Sequence, residues 1–357
     1  MTQPLRITQL MLSQGLGGAE RYFVDLCGAL ADRGHAVQAI FHRDFVARNE
    51  LEKHPNIACV PVRIWASWDP GARRTIREQV RQFSPQVMQA HLARGARIGG
   101  AVCSSLNVPL TVKTHNRVNL KYYPNVDHFI ATTAAQKAYL AEHGIAPDRV
   151  SVIPNFSALA AVDNVATVHN PIQFCSYGRM VKKKGFDNLL RAFRLFLDRG
   201  NQGRLQIGGD GAARGALEKL TSELNLNAHV AFAGWITNPA QILDACDVFV
   251  LPSLDEPFGI VLLEAMARGK AIIATRTQGP LEIFDDSTAW LVDIGDDNAL
   301  ADALGYAAQH PDMVTEKSIA ALRCFKQTYA SEAVIPRILN VYEAMLAKPQ
   351  ATRPGTI

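Results

Sequence analysis

The sequence feature that most constrains the fold is an alternation of short β-like runs with segments of helical periodicity, which occurs twice in 357 residues. Because parallel strands need a crossover between them, strand–helix–strand repetition predicts parallel sheets covered by helices on both faces. A helix is predicted over Gly18–Asp32. The predicted strands of the first half are Leu5–Leu12, Ala36–Phe41, Gln86–His91, Leu110–Thr114, His128–Thr132 and Val150–Ile153. The first half therefore predicts a doubly wound α/β domain over residues 1–156.

The alternation stops and then restarts, which predicts a second domain of the same class. Residues 157–171 break the rhythm and are interpreted as a linker, so the second domain is predicted over residues 172–331. Its predicted strands are Ile172–Tyr177, Arg204–Gly208, Val230–Phe232, Val248–Leu251, Ala271–Ala274 and Ala289–Val292. Helices are predicted over Phe186–Asp198 and from Asn298 to about Ala347, with a break near Pro311. The tail Lys348–Ile357 is predicted to be frayed. Ligands of doubly wound sheets bind at the carboxyl ends of the strands, which predicts a shared crevice.

Composition excludes several classes of protein. Hydrophobic residues make up 48% and charged residues 20%, which disfavours disorder and coiled coil. No apolar run approaches the roughly 20 residues that a membrane-spanning helix needs. The six cysteines are widely spaced without a Cys-x-x-Cys pair, which argues against structural zinc and a disulfide framework. We therefore expect a cytoplasmic protein with reduced, buried thiols.

Positive charge is concentrated in the first half, where residues 1–156 contain 18 Lys and Arg against 11 Asp and Glu. A predicted helix over residues 72–83 places Arg73, Arg77 and Arg81 on one face. Two interpretations remain open: a basic helix on an anionic membrane surface, or a solvated face over the domain core. Nucleic acid is not an expected partner, because no aromatic-interleaved basic motif accompanies the charge.

The first glycine-rich turn follows the first predicted strand and ends at Glu20. A dinucleotide fingerprint requires glycine where Glu20 stands, so a nicotinamide-dependent oxidoreductase is disfavoured. The backbone amides of Gly17 and Gly18 could still approach a phosphate or sugar, and a plain tight turn is the alternative.

The loop after the predicted strand Ile172–Tyr177 contains Arg179 and Lys184, each beside a glycine. A planar guanidinium and a mobile ammonium suit a diphosphate. The neighbouring Lys182 and Lys183 are more typical of a solvated charge run. Two further turns at strand ends could supply contacts to a flat ring or nucleobase, and their candidate residues are Gly209, Asp210, Gly211 and Trp235.

The most specific segment combines a buried strand, a loop containing Glu256 and a helix predicted to start near Phe258. The free amides of a helix N-terminus form an anion site. The candidate residues for it are Phe258, Gly259, Ile260 and Val261. Glu256 and Glu264 lie eight positions apart, and carboxylates suit the recognition of sugar or ribose hydroxyls.

These motifs together resemble the retaining glycosyltransferases of family 4, which have the GT-B fold of two Rossmann-like domains facing a central cleft. The likeness extends from Gly17-Gly18 to the final helix. It implies that Arg179 and Lys184 hold the donor diphosphate, and that Glu256 and Glu264 contact the transferred sugar and the ribose. It also implies that backbone at residues 259–261 caps the phosphates, and that the last helix, about residues 332–347, packs on the first domain.

The resemblance gives roles to two histidines. His115, after the predicted strand Leu110–Thr114, matches a histidine near the reaction centre of the donor sugar. His91 and Asn116 are candidate acceptor contacts, but the family often has His-x-His where this chain has Gln89 before His91. A structural role is the alternative for both histidines.

The expected activity is transfer of a hexosyl unit from a nucleoside diphosphate sugar, UDP-sugar rather than GDP-sugar, with retention at the anomeric carbon. The expected acceptor is a glycan or lipid-linked molecule of lipopolysaccharide or other envelope polysaccharide synthesis, at the inner face of the inner membrane. No metal or other cofactor is expected, since fixed cations and helix amides can stabilise the leaving diphosphate. The expected catalytic residues are His115, Arg179, Lys184 and Glu256. The alternatives are a GT-B sugar-nucleotide epimerase and a non-catalytic nucleotide-sugar-binding module.

Overall fold

A computed structural model describes residues 3–348 except 16, 67 and 117. Its internal contacts divide the chain into two compact units, Met1–Ala158 with Ser331–Ile357, and Leu159–Ala330. The predicted frayed tail, apart from Lys348, lies outside the described residues.

In its described part the first unit contains a seven-stranded parallel sheet with the strand order β3-β2-β1-β4-β5-β6-β7. The strands are β1 Arg6–Met11, β2 Ala36–His42, β3 Ile57–Val62, β4 Val87–His91, β5 Leu110–Thr114, β6 His128–Ala131 and β7 Val150–Val152. The helices between them are α1 Gly18–Asp32, α2 Arg48–Glu52, α3 Pro70–Phe83, α4 Leu92–Leu106 and α5 Ala134–Glu142.

The edge strand β3 is absent from the sequence-based prediction. It contains Pro61, and a proline within a β-like run argues against a central strand because it cannot donate a ladder hydrogen bond. The structure resolves the conflict by placing β3 at the edge of the sheet, beside β2.

The second unit contains a six-stranded parallel sheet with the order β10-β9-β8-β11-β12-β13. The strands are β8 Ile172–Tyr177, β9 Gly203–Gly208, β10 Val230–Gly234, β11 Val248–Leu251, β12 Ala271–Thr275 and β13 Trp290–Val292. The helices are α6 Phe186–Asp198, α7 Arg214–Glu223, α8 Pro239–Asp244, α9 Ile260–Ala267, α10 Gln278–Ile283, α11 Asp297–Gln309 and α12 Pro311–Cys324. The predicted α/β class with two doubly wound sheets is confirmed.

The final helical region is more interrupted than predicted. After the break before Pro311, a π-helical turn over Phe325–Tyr329 separates α12 from the last helix, α13 Ser331–Ala347. α13 belongs to the first unit. Most of the segment interpreted as a linker belongs to the second unit, where the Val162 N–H donates to the Ala267 carbonyl.

Each sheet reverses its strand order at one place. In the first sheet the reversal lies between β1 and β4, and in the second it lies between β8 and β11. Such a switch point leaves a crevice at the carboxyl ends of the two strands, because their crossovers leave in opposite directions. Most of the candidate site residues lie at or beyond the ends of these four strands and β5, whereas Gly209, Asp210 and Gly211 follow β9 and Trp235 follows β10.

Candidate functional site

At the switch point of the second sheet, the loops after β8 and β11 run side by side. The Leu254 N–H donates to the Lys183 carbonyl at 2.8 Å. Gly185 has a φ of 66°, and a Cβ atom there would overlap the carbonyl oxygen of Pro252. Glycine is therefore required at position 185, both for its conformation and for the close approach of the two loops.

This contact brings Lys184 and Glu256 together as an ion pair. The Lys184 and Glu256 side chains are only 18% and 10% exposed, and a more exposed pair, Lys183–Asp255 at 3.2 Å, lies beside them. The sequence predicted separate ligands for the two residues, diphosphate for Lys184 and sugar for Glu256. In this structure the two groups neutralise each other. An anion that binds the Lys184 ammonium therefore has to displace the Glu256 carboxylate or share the ammonium with it.

Arg179 lies in the same β8–α6 loop and is exposed. Its guanidinium makes no hydrogen bond or ion pair with any residue that the structure describes. It is therefore available for an incoming anion, as predicted from its residue type.

Glu264 lies in α9 and is nearly buried, and the hydroxyl of Tyr177 donates a hydrogen bond to its carboxylate. Tyr177 is the last residue of β8, and burial, then the nearby Glu264 charge, raises the pKa of its phenol. Tyr177 fixes the position of Glu264, a function that the sequence analysis missed. The available signal was a tyrosine at the end of a buried strand, where a polar tip needs a partner.

The N-terminus of α9 offers backbone donors. No side chain caps this helix, and its N-cap residue Gly259 has a φ of 92°. Ile260 and Val261 are its first two residues, and their N–H groups have no carbonyl within the helix to bind. The Phe258 ring is buried, and its centroid lies 6.3 Å from that of the Tyr329 ring. A contact of Phe258 with the donor remains a prediction.

The turn at residues 208–211 contacts protein backbone. Gly209 has a φ of 121°, and a Cβ atom there would overlap the Gly178 carbonyl oxygen. The Met180 N–H donates to the Asp210 carbonyl at 2.8 Å, and a Cβ atom on Gly211 would lie 2.5 Å from the Met180 carbonyl oxygen. These glycines are therefore required for contact between two loops, and their contact with a flat ring remains a prediction. The Asp210 carboxylate pairs with Arg214 at 3.1 Å, and Trp235 after β10 is half-exposed.

In the first unit, the turn after β1 is closed by Glu20. The Gly17 N–H donates to one Glu20 carboxylate oxygen at 3.0 Å, and the Ser13 hydroxyl donates to the other at 2.6 Å. The amide of Gly17 is therefore already used by the helix cap, contrary to the prediction that it approaches a phosphate or sugar. For Gly18, the first residue of α1, the approach to a phosphate or sugar remains a prediction.

His91 is the last residue of β4, and His115 directly follows the neighbouring strand β5. His91 Nδ1 lies 3.2 Å from His115 Nε2, with the rings nearly parallel. His91 is fully buried, and its Nε2 lies 3.0 Å from Gln9 Oε1. The structure does not support a direct acceptor contact by His91, since both of its ring nitrogens already have partners. Asn116 is exposed beside His115.

Burial, with the Lys113 charge as a smaller cause, lowers the pKa of His91 to about 3. Burial, with His91 and Lys113 as smaller causes, also lowers the pKa of His115 well below its ordinary range. Both rings are therefore neutral near pH 7. His115 is half-buried, and its Nδ1 atom is buried without a partner among the described residues.

Three polar neighbours of this pair were missed from the sequence. Gln9 and Tyr342 form hydrogen bonds with each other at 3.1 Å. Lys113 is fully buried, donates to the Ile153 carbonyl, and has its pKa lowered by burial. For Lys113, the available signal was the presence of polar residues at alternate positions of β4 and β5, because buried parallel strands are normally apolar throughout.

The surface of α3 is as basic as predicted. Arg73, Arg77 and Arg81 are exposed and have no carboxylate partner in the described part of the chain, while Ile76 and Val80 are buried beneath them. The loop before α3 also exposes two tryptophans, Trp65 at 75% and Trp68 at 73%.

Two features are absent from the part of the chain that the structure describes. None of the helices there has both the length and the apolar character needed to cross a membrane. Nor does this part of the chain contain a group of three or more His, Cys, Asp or Glu side chains placed to hold a metal ion.

Comparisons with known proteins cover nearly the whole chain. The family model Glycosyltransferase Family 4 matches residues 16–160, and the model Glycosyl transferases group 1 matches residues 162–319. The lipopolysaccharide core biosynthesis glycosyltransferase LpsD of Rhizobium meliloti (strain 1021) is 31% identical over 338 residues, which cover 93% of this chain and 96% of LpsD. LpsE of the same organism, with the same description, is 31% identical over 295 residues, covering 81% of this chain and 84% of LpsE.

Solved structures show the same fold. The crystal structure of HepE from Anabaena in complex with UDP has a TM-score of 0.80 and 19% identity, covering 95% of this chain and 99% of HepE. Another structure of HepE contains UDP-glucose. The resemblance inferred from the motifs is thus confirmed: the chain belongs to the family 4 glycosyltransferases and has the GT-B fold.

Proposed function

We propose that the protein is a retaining hexosyltransferase that uses a UDP-sugar and acts in lipopolysaccharide core biosynthesis. The observation that carries this proposal is the convergence at the β8/β11 switch point of Lys184, two nearly buried carboxylates and the N-terminus of α9. The descriptions of the two R. meliloti relatives support the pathway, and the UDP and UDP-glucose bound to HepE favour uridine over guanosine.

The cationic groups have the chemistry that departure of a diphosphate requires. Negative charge develops on the leaving oxygen as the bond to the anomeric carbon breaks, and preorganised donors stabilise it. Arg179, Lys184 and the amides of Ile260 and Val261 are such donors. The reaction proposed here therefore needs no metal ion, and addition of EDTA is expected to leave the rate unchanged.

The carboxylates are proposed to bind the carbohydrate. Glu256 accepts hydrogen bonds from hydroxyls of the transferred sugar, and Glu264, oriented by Tyr177, accepts them from the ribose. When the diphosphate binds Lys184, the Glu256 carboxylate loses its partner and gains the sugar hydroxyls. The ion pair thus holds both groups in place before the donor arrives.

Retention is proposed to follow a front-face route. The acceptor oxygen forms its bond to the anomeric carbon on the face from which the diphosphate leaves, and the acceptor proton passes to a phosphate oxygen of the leaving group. The proposed reaction does not use the two-carboxylate route of retaining hydrolases. That route needs a carboxylate nucleophile on the face of the sugar opposite the leaving group, whereas the front-face route needs none. His115 is proposed to lie at this reaction centre.

The test is transfer of labelled hexose from a UDP-sugar panel to truncated lipopolysaccharide core, with the anomeric configuration of the product read by NMR. An α-linked product from an α-linked donor supports the proposal, and a β-linked product contradicts retention. Consumption of donor without acceptor, giving an isomeric sugar nucleotide, would support the epimerase instead. Binding of donor without turnover under any condition would support a non-catalytic module.

We further propose that the first unit docks on the anionic inner face of the inner membrane through α3, which makes the protein cytoplasmic and peripheral. Three unpaired arginines beside two exposed tryptophans combine electrostatic attraction with interfacial anchoring. Flotation with anionic vesicles at low salt is expected to carry the protein, and the triple variant R73Q/R77Q/R81Q is expected not to float. Equal flotation of the two proteins, or of wild type with neutral vesicles, would contradict the proposal.

A further inference from the structure

A line of buried hydrogen bonds joins the C-terminal helix α13 to His115. The Tyr342 hydroxyl lies 2.7 Å from Gln89 Oε1 and 3.1 Å from Gln9 Nε2. Gln9 Oε1 lies 3.0 Å from His91 Nε2, and His91 Nδ1 lies 3.2 Å from His115 Nε2. We call these five residues the Tyr342 network. All of them except His115 are fully buried.

The sheet geometry explains why these side chains meet. Gln9 and Gln89 are register partners on the adjacent strands β1 and β4. His91 follows Gln89 by two positions and so points to the same face of the sheet. Leu92, the next residue, has a φ of 59°, a left-handed conformation that is unfavourable in a residue with a side chain. The fold therefore places His91 at the end of β4 despite local backbone strain.

The distances indicate the direction of each hydrogen bond. The Tyr342 hydroxyl has one proton, and 2.7 Å to Gln89 Oε1 is typical of an O–H donor, whereas 3.1 Å to Gln9 fits an amide N–H donor. Gln9 therefore turns its Oε1 toward His91, whose Nε2 must hold a proton. The contact of Gln89 Nε2 with His91 Nε2, at 3.5 Å, then joins two donors and contributes no hydrogen bond.

The consequence reaches His115. A neutral His91 with its proton on Nε2 presents a lone pair at Nδ1, so His115 must donate to it from Nε2. His115 Nδ1 then has no proton and acts as an acceptor. This atom is buried and lacks a partner in the described residues, and an unsatisfied buried acceptor costs free energy. A hydroxyl of a bound substrate is the kind of donor that would remove this cost.

We propose that Tyr342 is a positioning residue: through Gln9 and His91 it fixes the tautomer of His115, so that Nδ1 of His115 presents a lone pair to a substrate hydroxyl. Without the Tyr342 hydroxyl, the Gln9 amide can turn over and present Nε2 to His91. Both histidine tautomers then reverse, and His115 presents an N–H instead of an acceptor. The kinetic part of this inference rests on the proposed function, and the tautomer part does not.

The test compares Tyr342→Phe with the matched control Thr8→Val in the full-length protein. Thr8 is the β1 neighbour of Gln9 on the opposite face of the sheet, and its hydroxyl donates to Gln38 Oε1 at 2.9 Å, so the control also loses one buried hydrogen bond. Histidine tautomers are read by long-range ¹H–¹⁵N NMR of protein labelled at histidine. Wild type and Thr8→Val are expected to hold the His115 proton on Nε2, and Tyr342→Phe is expected to show a mixture.

Transfer kinetics supply the second measurement. Tyr342→Phe is expected to lower kcat about tenfold, the size of effect that a misplaced hydroxyl acceptor produces, with the donor KM within about twofold of wild type. An unchanged His115 tautomer in Tyr342→Phe would overturn the network, and a changed tautomer with the kcat of Thr8→Val would overturn its link to catalysis. Failure of the proposed function would appear separately, as wild-type protein without product, while the NMR comparison still decides whether the network exists.

Discussion

Lys184 and Glu256 form an ion pair that is largely shielded from water, so each residue affects stability as well as ligand binding. Removal of one member leaves the other as an uncompensated, partly buried charge. Loss of activity in a single variant could therefore come from unfolding or from loss of the diphosphate contact. A double variant separates the two effects, because it removes both charges.

We expect Lys184→Ala to lower kcat at least about a hundredfold, since it removes a fixed cation from the leaving group. We also expect a lower Tm in Lys184→Ala, and recovery of most of that loss, without recovery of activity, in Lys184→Ala/Glu256→Gln. Thermal unfolding and steady-state kinetics measure both. The control is Lys182→Ala, which changes a lysine of the same loop whose ammonium has no partner among the described residues. This control variant is expected to remain active. Wild-type turnover in Lys184→Ala would discard its assignment.

Residue types and their places along the chain could suggest candidates for the site, but not their contacts. Arg179, Lys184 and Glu256 were selected from loops that follow strands, and Glu264 from the helix after such a loop; their binding roles remain predictions. The pairing of Lys184 with Glu256 was not, because it depends on two loops that are 72 positions apart in the chain. Tyr342 lies still farther from its partners, 253 positions from Gln89, so no local pattern could have joined them.

At the scale of the elements, the candidate site is made of loops whose backbones touch where glycine leaves space. Gly185 lies against Pro252, and Gly209 lies against Gly178. The sequence predicted the strands and helices that carry these loops, since their periodicity is local. It could not predict that these glycines contact another loop, because a close approach to another loop and a close approach to a ligand require the same residue.

Gly185→Ala is expected to destabilise the second unit by about 2 kcal/mol or more, because it combines a left-handed φ with overlap on the Pro252 carbonyl. The matched control is Gly215→Ala in α7, where a Cβ atom meets nothing within 4 Å. This substitution is expected to stabilise by about 0.5–1 kcal/mol through helix propensity. Urea unfolding measures both, and equal stabilities of the two variants would contradict the loop contact.

The ends of β4 and β5 are expected to make the first unit sensitive to acid. His91 titrates near 6.5 in the unfolded chain and at about 3 in the folded protein, so between these values only the unfolded chain binds the proton. The free energy of unfolding is therefore highest above pH 6.5 and falls as the pH is lowered. For His91 alone the expected loss between pH 7 and pH 5 is about 2 kcal/mol.

The measurement is urea unfolding at each pH, followed by hydrogen exchange in peptides that cover β4 and β5. His91→Gln is expected to flatten this part of the pH dependence, because glutamine does not titrate. His143→Gln, which changes an exposed histidine of the same unit, is expected to retain it. The same slope in His91→Gln and wild type would show that His91 is not the source.

At the scale of the whole molecule, two doubly wound units each place polar side chains at a sheet switch point. The repetition of strand and helix along the sequence predicted this architecture, and the edge strand β3 was missed because Pro61 interrupts its pattern. The two units are not simply the first and second halves of the chain, because α13 at the C-terminal end belongs to the first unit. That return depends on tertiary contacts such as Tyr342 with Gln9, which periodicity does not encode.

The central claim is that the donor diphosphate binds at the β8/β11 switch point, and a crystal structure of the protein with a UDP-sugar or UDP tests it most directly. The account predicts a pyrophosphate in contact with Arg179, Lys184 and the first amides of α9, with the Lys184–Glu256 pair opened. A pyrophosphate bound away from Arg179 and Lys184, with that ion pair intact, would contradict it.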